Sequence, residues 1–352
     1  MTNGAPQMNR RVDVSVLVPV LNEIEHIEET AARMRAQRLD GTLEFLFIDG
    51  GSTDGTRAIL DQLAAEDRRV RLLHNPERHI PAALNVGLRH AAGHYVARMD
   101  AHTFYPDDYL QRGVRRLEQG DVGWASGPAL PFGTDRSSRR VALALSSWLG
   151  VGGASFRRDA TGEFDSDTGF TGVWLRATLL RFGGWDEASL VNEDAELAAR
   201  VREAGQRIVC VPEMAARYVP RNSLTALARQ YWRYGMYRAR TSRLHPRSLR
   251  RSNLLPPALA LTVTGAVTGP TAVSRPARAG LAAYLAAVAS ASAAATRRAS
   301  VSDALSLPLV FITMHVTWGF GFLAGSIRFG PPASAVLAAL RGAARPSRPK
   351  VL

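Results

Sequence analysis

Within its first hundred or so residues the chain carries Val96-Ala97-Arg98-Met99-Asp100-Ala101-His102, a short apolar run closed by a carboxylate and, two residues on, an imidazole. In a strand, positions i and i+2 project to the same side. Asp100 and His102 are therefore placed to enter one crevice at a strand's carboxyl end, where open α/β sheets bind ligands. One carboxylate and one imidazole make half of a divalent-metal site, with diphosphate oxygens completing the shell. The alternative is a plain turn in which Asp100 caps the next helix. A second acidic group, Asn192-Glu193-Asp194, heads a helix-like run to Ala204. A carboxylate there can accept a proton from a reacting hydroxyl, but acids also suit a helix start on electrostatic grounds alone. A third group, Asp49-Gly50-Gly51-Ser52-Thr53-Asp54-Gly55-Thr56, reads as a glycine-rich turn with Asp54 capping the following helix.

Such groups need a rigid scaffold, and the spacing predicts one. Strands are expected over 12–20, 44–48, 70–74 and 95–99, alternating with helices over 25–37, 57–66 and 81–92. That alternation argues for βαβ units and a parallel sheet. Further on, helices are expected from about 107 to 118, 143 to 151, 179 to 182 and 192 to 204, with strands near 122–127, 170–175 and 207–211. Gly150-Val151-Gly152-Gly153 reads as a loop able to approach a ligand closely. Cys210, the single cysteine, lies in an apolar run and is expected in the core, so no internal disulfide can form. His74, His79, His90 and His94 show no ligand spacing and read as surface or structural residues.

The net charge of +13 is unevenly spread. Residues 1–213 carry slightly more acid than base, whereas residues 214–251 hold 10 Arg and no acid. A nucleic-acid partner is excluded on that map, since the expected folded part is acidic. A basic collar beside apolar segments points instead to anionic lipid headgroups. Uncharged windows follow at 252–274, 279–296 and 304–327, each of spanning length. The positive-inside rule would put the collar on the cytoplasmic side. Three full spans would leave Arg341, Arg345, Arg348 and Lys350 outside, so one segment is expected to be re-entrant or interfacial. The polar first eleven residues carry no cleavable signal pattern, which leaves the N-terminal part expected in the cytoplasm at the inner membrane. No G-x-G-x-x-G follows the first strand, which disfavours a dinucleotide oxidoreductase.

Taken together, the motifs resemble the family 2 glycosyltransferases. Val18-Pro19-Val20-Leu21-Asn22-Glu23 resembles the family's first-strand P-x-x-N-E signature, and Asp49 to Thr56 its D-[DG]-G-S-x-D-x-T segment. Asp100-Ala101-His102 stands where the family carries its DXD motif. Asn192-Glu193-Asp194 is similar to the ED motif, and Gln230-Tyr231-Trp232-Arg233-Tyr234 to the Q-x-x-R-W motif. The closer likeness is to bacterial exopolysaccharide glucosyltransferases of the succinoglycan type, through 81–85, 98–102, 150–154 and 167–170. Two departures stand out: Gly50 replaces a second strand-end acid that commonly contacts the base, and His102 replaces the last acid of the DXD motif.

The resemblance implies an α/β GT-A fold, Rossmann-like, with a C-terminal apolar helical membrane region. The expected organisation is a disordered segment 1–11, a transferase domain 12–251, membrane-associated helices 252–330 and a basic tail 331–352. It implies an inverting transfer from a nucleotide sugar, expected to be UDP-linked, to a lipid-linked or glycan acceptor. Pro19, Asn22, Glu23, Asp49, Asn85 and Asp100 would bind the donor. Asp100 and His102 would hold Mn2+ or Mg2+. Asp194, with Glu193 as the alternative, would be the base, and Gln230 and Arg233 would line the diphosphate or acceptor channel. A polyprenyl-phosphate sugar synthase, or a non-catalytic membrane protein with a degenerate transferase domain, are the competing readings.

Overall fold

A computed structural model describes residues 12–151, 162–295 and 300–342. In chain order the first half forms β1 (Val14–Val20), α1 (Ile27–Arg35), β2 (Leu43–Asp49), α2 (Thr56–Glu66), β3 (Val70–His74), α3 (Ile80–His90) and β4 (Tyr95–Arg98). After a turn come β5 (Thr103–Phe104), α4 (Tyr109–Glu118), β6 (Val122–Ser126), β7 (Ala129–Pro131), α5 (Arg136–Leu145) and α6 (Trp148–Val151). Then follow β8 (Phe164–Asp165), β9 (Gly172–Leu175), α7 (Arg176–Arg181), α8 (Glu193–Glu203), β10 (Arg207–Cys210) and β11 (Ala216–Tyr218). The helical remainder is α9 (Leu224–Leu244), α10 (Leu255–Thr268), α11 (Thr271–Ala295), α12 (Val301–Ala304), α13 (Leu307–Phe329) and α14 (Ala333–Arg341).

Among the described residues the main sheet has eight strands in the order β3-β2-β1-β4-β9-β6-β10-β8. β1, β2, β3 and β4 pair in parallel, as the βαβ pattern predicts. The sheet is nevertheless mixed, because β9 runs antiparallel to both β4 and β6 and β8 runs antiparallel to β10. The strand pleat sorts the core to two faces. Val14, Val16, Val18 and Val20 join Phe45, Phe47, Ile27, Met34 and Leu60 on one side. Leu17, Leu46 and Ile48 meet Leu84, Leu88, Trp185, Leu197 and Val201 on the other. Each such fully buried side chain contributes about 1.5–3 kcal/mol. Cys210 is buried in this core, as expected. A small second sheet, β5-β11-β7, begins directly after the turn that follows β4.

The apolar tail departs from its expected form. The window 252–274 is broken. Arg251–Leu254 is a 3-10 turn, and α10 has 14 residues. At 1.5 Å per residue that helix is about 21 Å long, short of the ~30 Å hydrocarbon layer. Two helical stretches, Thr271–Ala295 and Val301–Phe329, are long and apolar enough to cross a membrane. The second is not a free helix. α9 lies along α13, and the two approach through glycine. A Cβ on Gly235 would sit 2.0 Å from the Trp318 carbonyl oxygen, and one on Gly321 would sit 2.2 Å from that of Trp232. Only hydrogen fits at those points, which fixes the pair side by side.

Candidate functional site

β1, β2 and β4 deliver their carboxyl ends to one crevice, at the point where the strand order turns from β1 toward β2 on one side and β4 on the other. The first two loops are locked to each other. Asn22 adopts a left-handed backbone (φ 55°). Its amide oxygen accepts from the Thr53 N–H at 2.8 Å, while its own N–H donates to Ser52 Oγ at 2.9 Å. The Glu23 N–H donates to Thr56 Oγ1, and the Ile24 N–H to Asp54 Oδ2 at 3.1 Å. Asp54 also takes the Thr56 hydroxyl at 2.6 Å, and these hydrogen bonds hold its carboxyl below the usual range. Gly55, not Asp54, stands at the cap position of α2. Asp54 thus cross-links two loops, a larger task than the cap expected of it. Asp49 is buried at the end of β2 and accepts the Ser52 N–H and hydroxyl at 3.0 and 2.7 Å, which shapes the glycine-rich turn. Pro19 pairs with Ile48 one position before the strand ends.

At the end of β4 the structure adds a residue to which the spacing assigned no role. Arg98 is buried, and its Nε donates to Asp100 Oδ1 at 2.7 Å and its Nη1 to Glu193 Oε1 at 2.9 Å. Burial opposes its charge, but the two carboxylates outweigh that and raise its affinity for the proton further. One guanidinium therefore ties the strand-end acid to the head of α8. The alternation that was expected to pair Asp100 with His102 pairs Arg98 with Asp100 instead. The strand ends at Arg98, and Asp100 to His102 form a turn. The Tyr105 hydroxyl accepts the Asp100 N–H at 2.8 Å and fixes that turn. His102 Nδ1 lies 3.1 Å from Glu23 Oε1. Burial disfavours its cation, but the Glu23 hydrogen bond and charge, with Asp100 beside them, hold its pKa above the ordinary value.

Asn192 is the N-cap of α8 in a left-handed conformation (φ 63°), and its amide donates to the Tyr234 carbonyl oxygen at 3.0 Å, joining α8 to α9. Glu193 is buried and spoken for by Arg98. Asp194, the next residue, is half-buried and carries no ion pair within hydrogen-bond distance among the described residues; its Oδ1 takes only the Ala195 N–H. Burial first, then the Glu193 charge, pushes its carboxyl up to about 7, while Arg98 and Arg238 pull the other way. Of the two acids, Asp194 is the one free to take a proton at neutral pH.

Other expected residues make internal contacts or face solvent. The Asn85 amide is engaged by one turn. Its Nδ2 donates to the Trp185 carbonyl oxygen at 2.8 Å and to Glu187 at 2.9 Å, and its Oδ1 accepts the Trp185 N–H. Both amide hydrogens and one oxygen lone pair of Asn85 thus hold the turn at Trp185 to Glu187. Gln230 donates to the Tyr234 hydroxyl one turn along α9 at 3.0 Å, and Arg233 is exposed. Several arginines of the collar serve internal contacts and not an open patch. Arg240 binds Asp186 and Ser189, Arg243 reaches the Phe329 carbonyl, Arg250 pairs with Asp167, and Arg251 binds the end of α14. Part of the loop 150–154 lies outside the described residues.

Comparison with known proteins gives the family. The model of "Glycosyl transferase family 2" matches residues 15–178. The succinoglycan biosynthesis protein ExoA of Rhizobium meliloti is 35% identical over 254 residues, 72% of this chain and 77% of that protein. The chain is a family 2 glycosyltransferase. A glycosyltransferase of Rickettsia felis is 30% identical over 117 residues, but that match spans 33% of this chain and 19% of the relative. Among solved structures, the mannosyltransferase PcManGT of Pyrobaculum calidifontis, in complex with GDP-Man and Mn2+, superposes with a TM-score of 0.52 at 23% identity, over 96% of this chain and 89% of its own. That likeness shows the GT-A-type fold. The family match also accounts for the order of elements from β1 to α7, and the ExoA match reaches well beyond them.

Proposed function

We propose that this glycosyltransferase moves a sugar from a nucleotide sugar to a glycan acceptor carried on a membrane lipid, with inversion at the anomeric carbon and with help from a divalent cation. The observation that carries this reading is the free Asp194 carboxylate, poised near neutrality and linked through Glu193 and Arg98 to Asp100 at the donor crevice. A single carboxylate placed against the acceptor hydroxyl can take its proton as the oxygen attacks, and one direct displacement inverts the anomeric centre.

The residues present suit a cation only in part. Among the described residues no cluster of three or more His, Cys, Asp and Glu is arranged to hold one. Asp100 and His102 would supply one oxygen and one nitrogen donor of the expected half-site, with Mn2+ or Mg2+ held once diphosphate oxygens complete the shell, while here Arg98 and Glu23 engage them. Asp100 keeps lone pairs to spare beyond its Arg98 bonds. Such an ion would neutralise the charge on the departing diphosphate. This chain's own part is to hold Asp100 by Arg98 and Tyr105, to hold His102 by Glu23, and to keep the glycine-rich loop rigid through Asp49 and Asp54. ExoA acts in succinoglycan synthesis by its name, which supports an exopolysaccharide role. The exposed apolar helices after residue 254 support a membrane-bound acceptor, with Leu309 55% and Ile327 86% exposed.

Nucleotide release by the detergent-solubilised protein tests this. A panel of UDP- and GDP-sugars with a lipid-linked acceptor, with Mn2+, Mg2+ or chelator, names the donor. Release that needs the ion and is lost in both Asp100→Ala and Asp194→Asn is the expected result. Equal release with chelator, or an active Asp194→Asn enzyme, would overturn it.

A further inference from the structure

α13 is long and apolar enough to cross a membrane, yet its packing argues against a crossing. One of its faces lies on α9. Leu227 and Tyr231 share a core with Phe311 and Met314. The Trp232 carbonyl meets Gly321, the Met236 carbonyl meets Gly325, and the Arg243 side chain lies against Gly330. The two helices therefore run side by side in the same direction from Phe311 to Gly330, about 29 Å at 1.5 Å per residue. Over that length α9 carries Arg229, Arg233, Arg238, Arg240 and Arg243. α9 is also fastened to the catalytic domain through Asn192, through Asp186 on Arg240, and through Glu196 and Glu203 on His245. A membrane-crossing α13 would draw those five guanidiniums, and the carboxylates that hold α9, toward the hydrocarbon, where each charge is costly.

The other face of α13 is suited to a lipid surface. At about 100° per residue, Leu309, Val316, Phe320 and Ile327 form one stripe, opposite the buried Phe311, Met314 and Phe322. Leu309 and Ile327 are exposed, and the two between them are half-buried. Two exposed tryptophans stand beside the helix. Trp148 is 67% exposed on α6, whose Leu149 packs against the Phe311 core, and Trp232 is exposed on α9. Indole rings favour the boundary between headgroups and hydrocarbon. The charge also fits. Asp303 is the only acid from 214 to 342, and it is paired with Arg140, whereas Arg233, Arg247, Arg328 and Arg341 are exposed. Resting on the membrane reading above, we infer that α13 lies in the plane of the membrane and does not span it. Its Leu309 to Ile327 stripe sets into the headgroup boundary of an anionic bilayer, about 5–10 Å deep, while its other face carries the catalytic domain through α9.

Depth along the helix decides between the two placements. Cys210 is the only cysteine and is buried, so Leu309→Cys, Val316→Cys and Ile327→Cys can each carry one spin label on the full chain. The labelled chains are bound to vesicles of phosphatidylglycerol and phosphatidylcholine, and collision with oxygen against a water-soluble nickel chelate gives the depth of each label. Retained nucleotide binding shows that each labelled chain is folded. The expected result is the same shallow depth at all three positions. A span would put Val316→Cys about 10 Å deeper than Leu309→Cys, and that gradient overturns the inference. Trp148→Ala is expected to lower vesicle affinity with nucleotide binding unchanged. Wild-type affinity is expected to fall with added salt and on neutral phosphatidylcholine vesicles; equal binding to neutral vesicles overturns the anionic surface. A failure of the membrane reading shows differently, as no binding to any vesicle in flotation, and overturns both.

Discussion

At the residue scale the catalytic question reduces to how two adjacent acids come to differ. Glu193 is ion-paired with Arg98; Asp194, one residue on, is left with burial and a like charge beside it. Removing Arg98 should expose the arrangement. Arg98→Gln leaves Asp100 and Glu193 buried and unpaired, which costs about 3–5 kcal/mol. Arg98 also pulls the Asp194 pKa down, so its loss should move the rising, acid-side limb of the pH–rate curve to higher pH in any enzyme that still folds. A pH profile of Arg98→Lys that stays near wild type would support an electrostatic role; an unshifted profile in Arg98→Gln would argue that Arg98 only packs. Asp194 itself carries a cost. Its carboxyl titrates near 7 folded and near 3.8 unfolded, so the folded chain binds more protons between those values. Stability then falls as pH rises through that window, and Asp194→Asn should gain roughly 1–3 kcal/mol at pH 8 while losing activity. Chemical denaturation of both proteins at pH 5 and pH 8 measures it. Part of this arrangement was legible in the chain: Asp49 was expected at the end of the second strand, Asp100 just past the fourth and Asp194 at the head of a helix, and the structure has β2 end at Asp49, β4 end two residues before Asp100 and α8 begin at Glu193. Arg98 was missed because a buried cation next to an expected metal acid reads as strand filler until its partner on α8, 95 positions later, is known.

At the element scale, the alternating pattern located most of β1 to α4 to within a residue or two, since hydrophobic periodicity and caps are local. The antiparallel β9 and the two-residue β5 and β8 were not legible, because their direction and existence are set by which strands they meet and not by their own residues. The helix α9 is joined to α8 by Asn192 and by His245 on Glu196 and Glu203 at 3.3 and 2.8 Å, and to the loop before α8 by Arg240 on Asp186. Burial opposes the His245 cation, but the two carboxylates hold its pKa above the ordinary value. A raised folded pKa stabilises below the unfolded value and is lost as pH climbs through the folded one. His245→Gln should therefore lower the melting temperature at pH 6 and differ little from wild type at pH 9. Between α9 and α13, Gly321→Leu must push a side chain into the Trp232 carbonyl. Loss of cooperative melting and faster proteolysis between α12 and α13 are expected, whereas an exposed Leu309→Ala should do neither.

For the whole molecule, the apolar tail is built onto the catalytic domain and not merely tethered to it, because α9 belongs to both. The uncharged windows were visible in the chain, but their breakage at Gly269-Pro270 and the glycine seam with α9 were not, since composition does not report partners. If the exposed faces of α10, α11 and α13 meet lipid, charges there are costly, by about 2.5–3.5 kcal/mol each at mid-membrane depth. Leu261→Glu with Leu285→Glu and Leu309→Glu should release the chain from vesicles in a flotation assay while the folded domain still binds nucleotide. Retention on vesicles would place those faces in protein contacts. The account as a whole rests on Asp194 taking the acceptor proton, and the most direct test is the pH dependence of kcat at saturating donor and acceptor. It predicts a rate that rises with pH and bends near pH 7 in wild type, together with a loss of about 10²–10⁴-fold in Asp194→Asn and no bend in what remains. A wild-type rate flat from pH 5 to 9, or the same bend in Asp194→Asn, would contradict it.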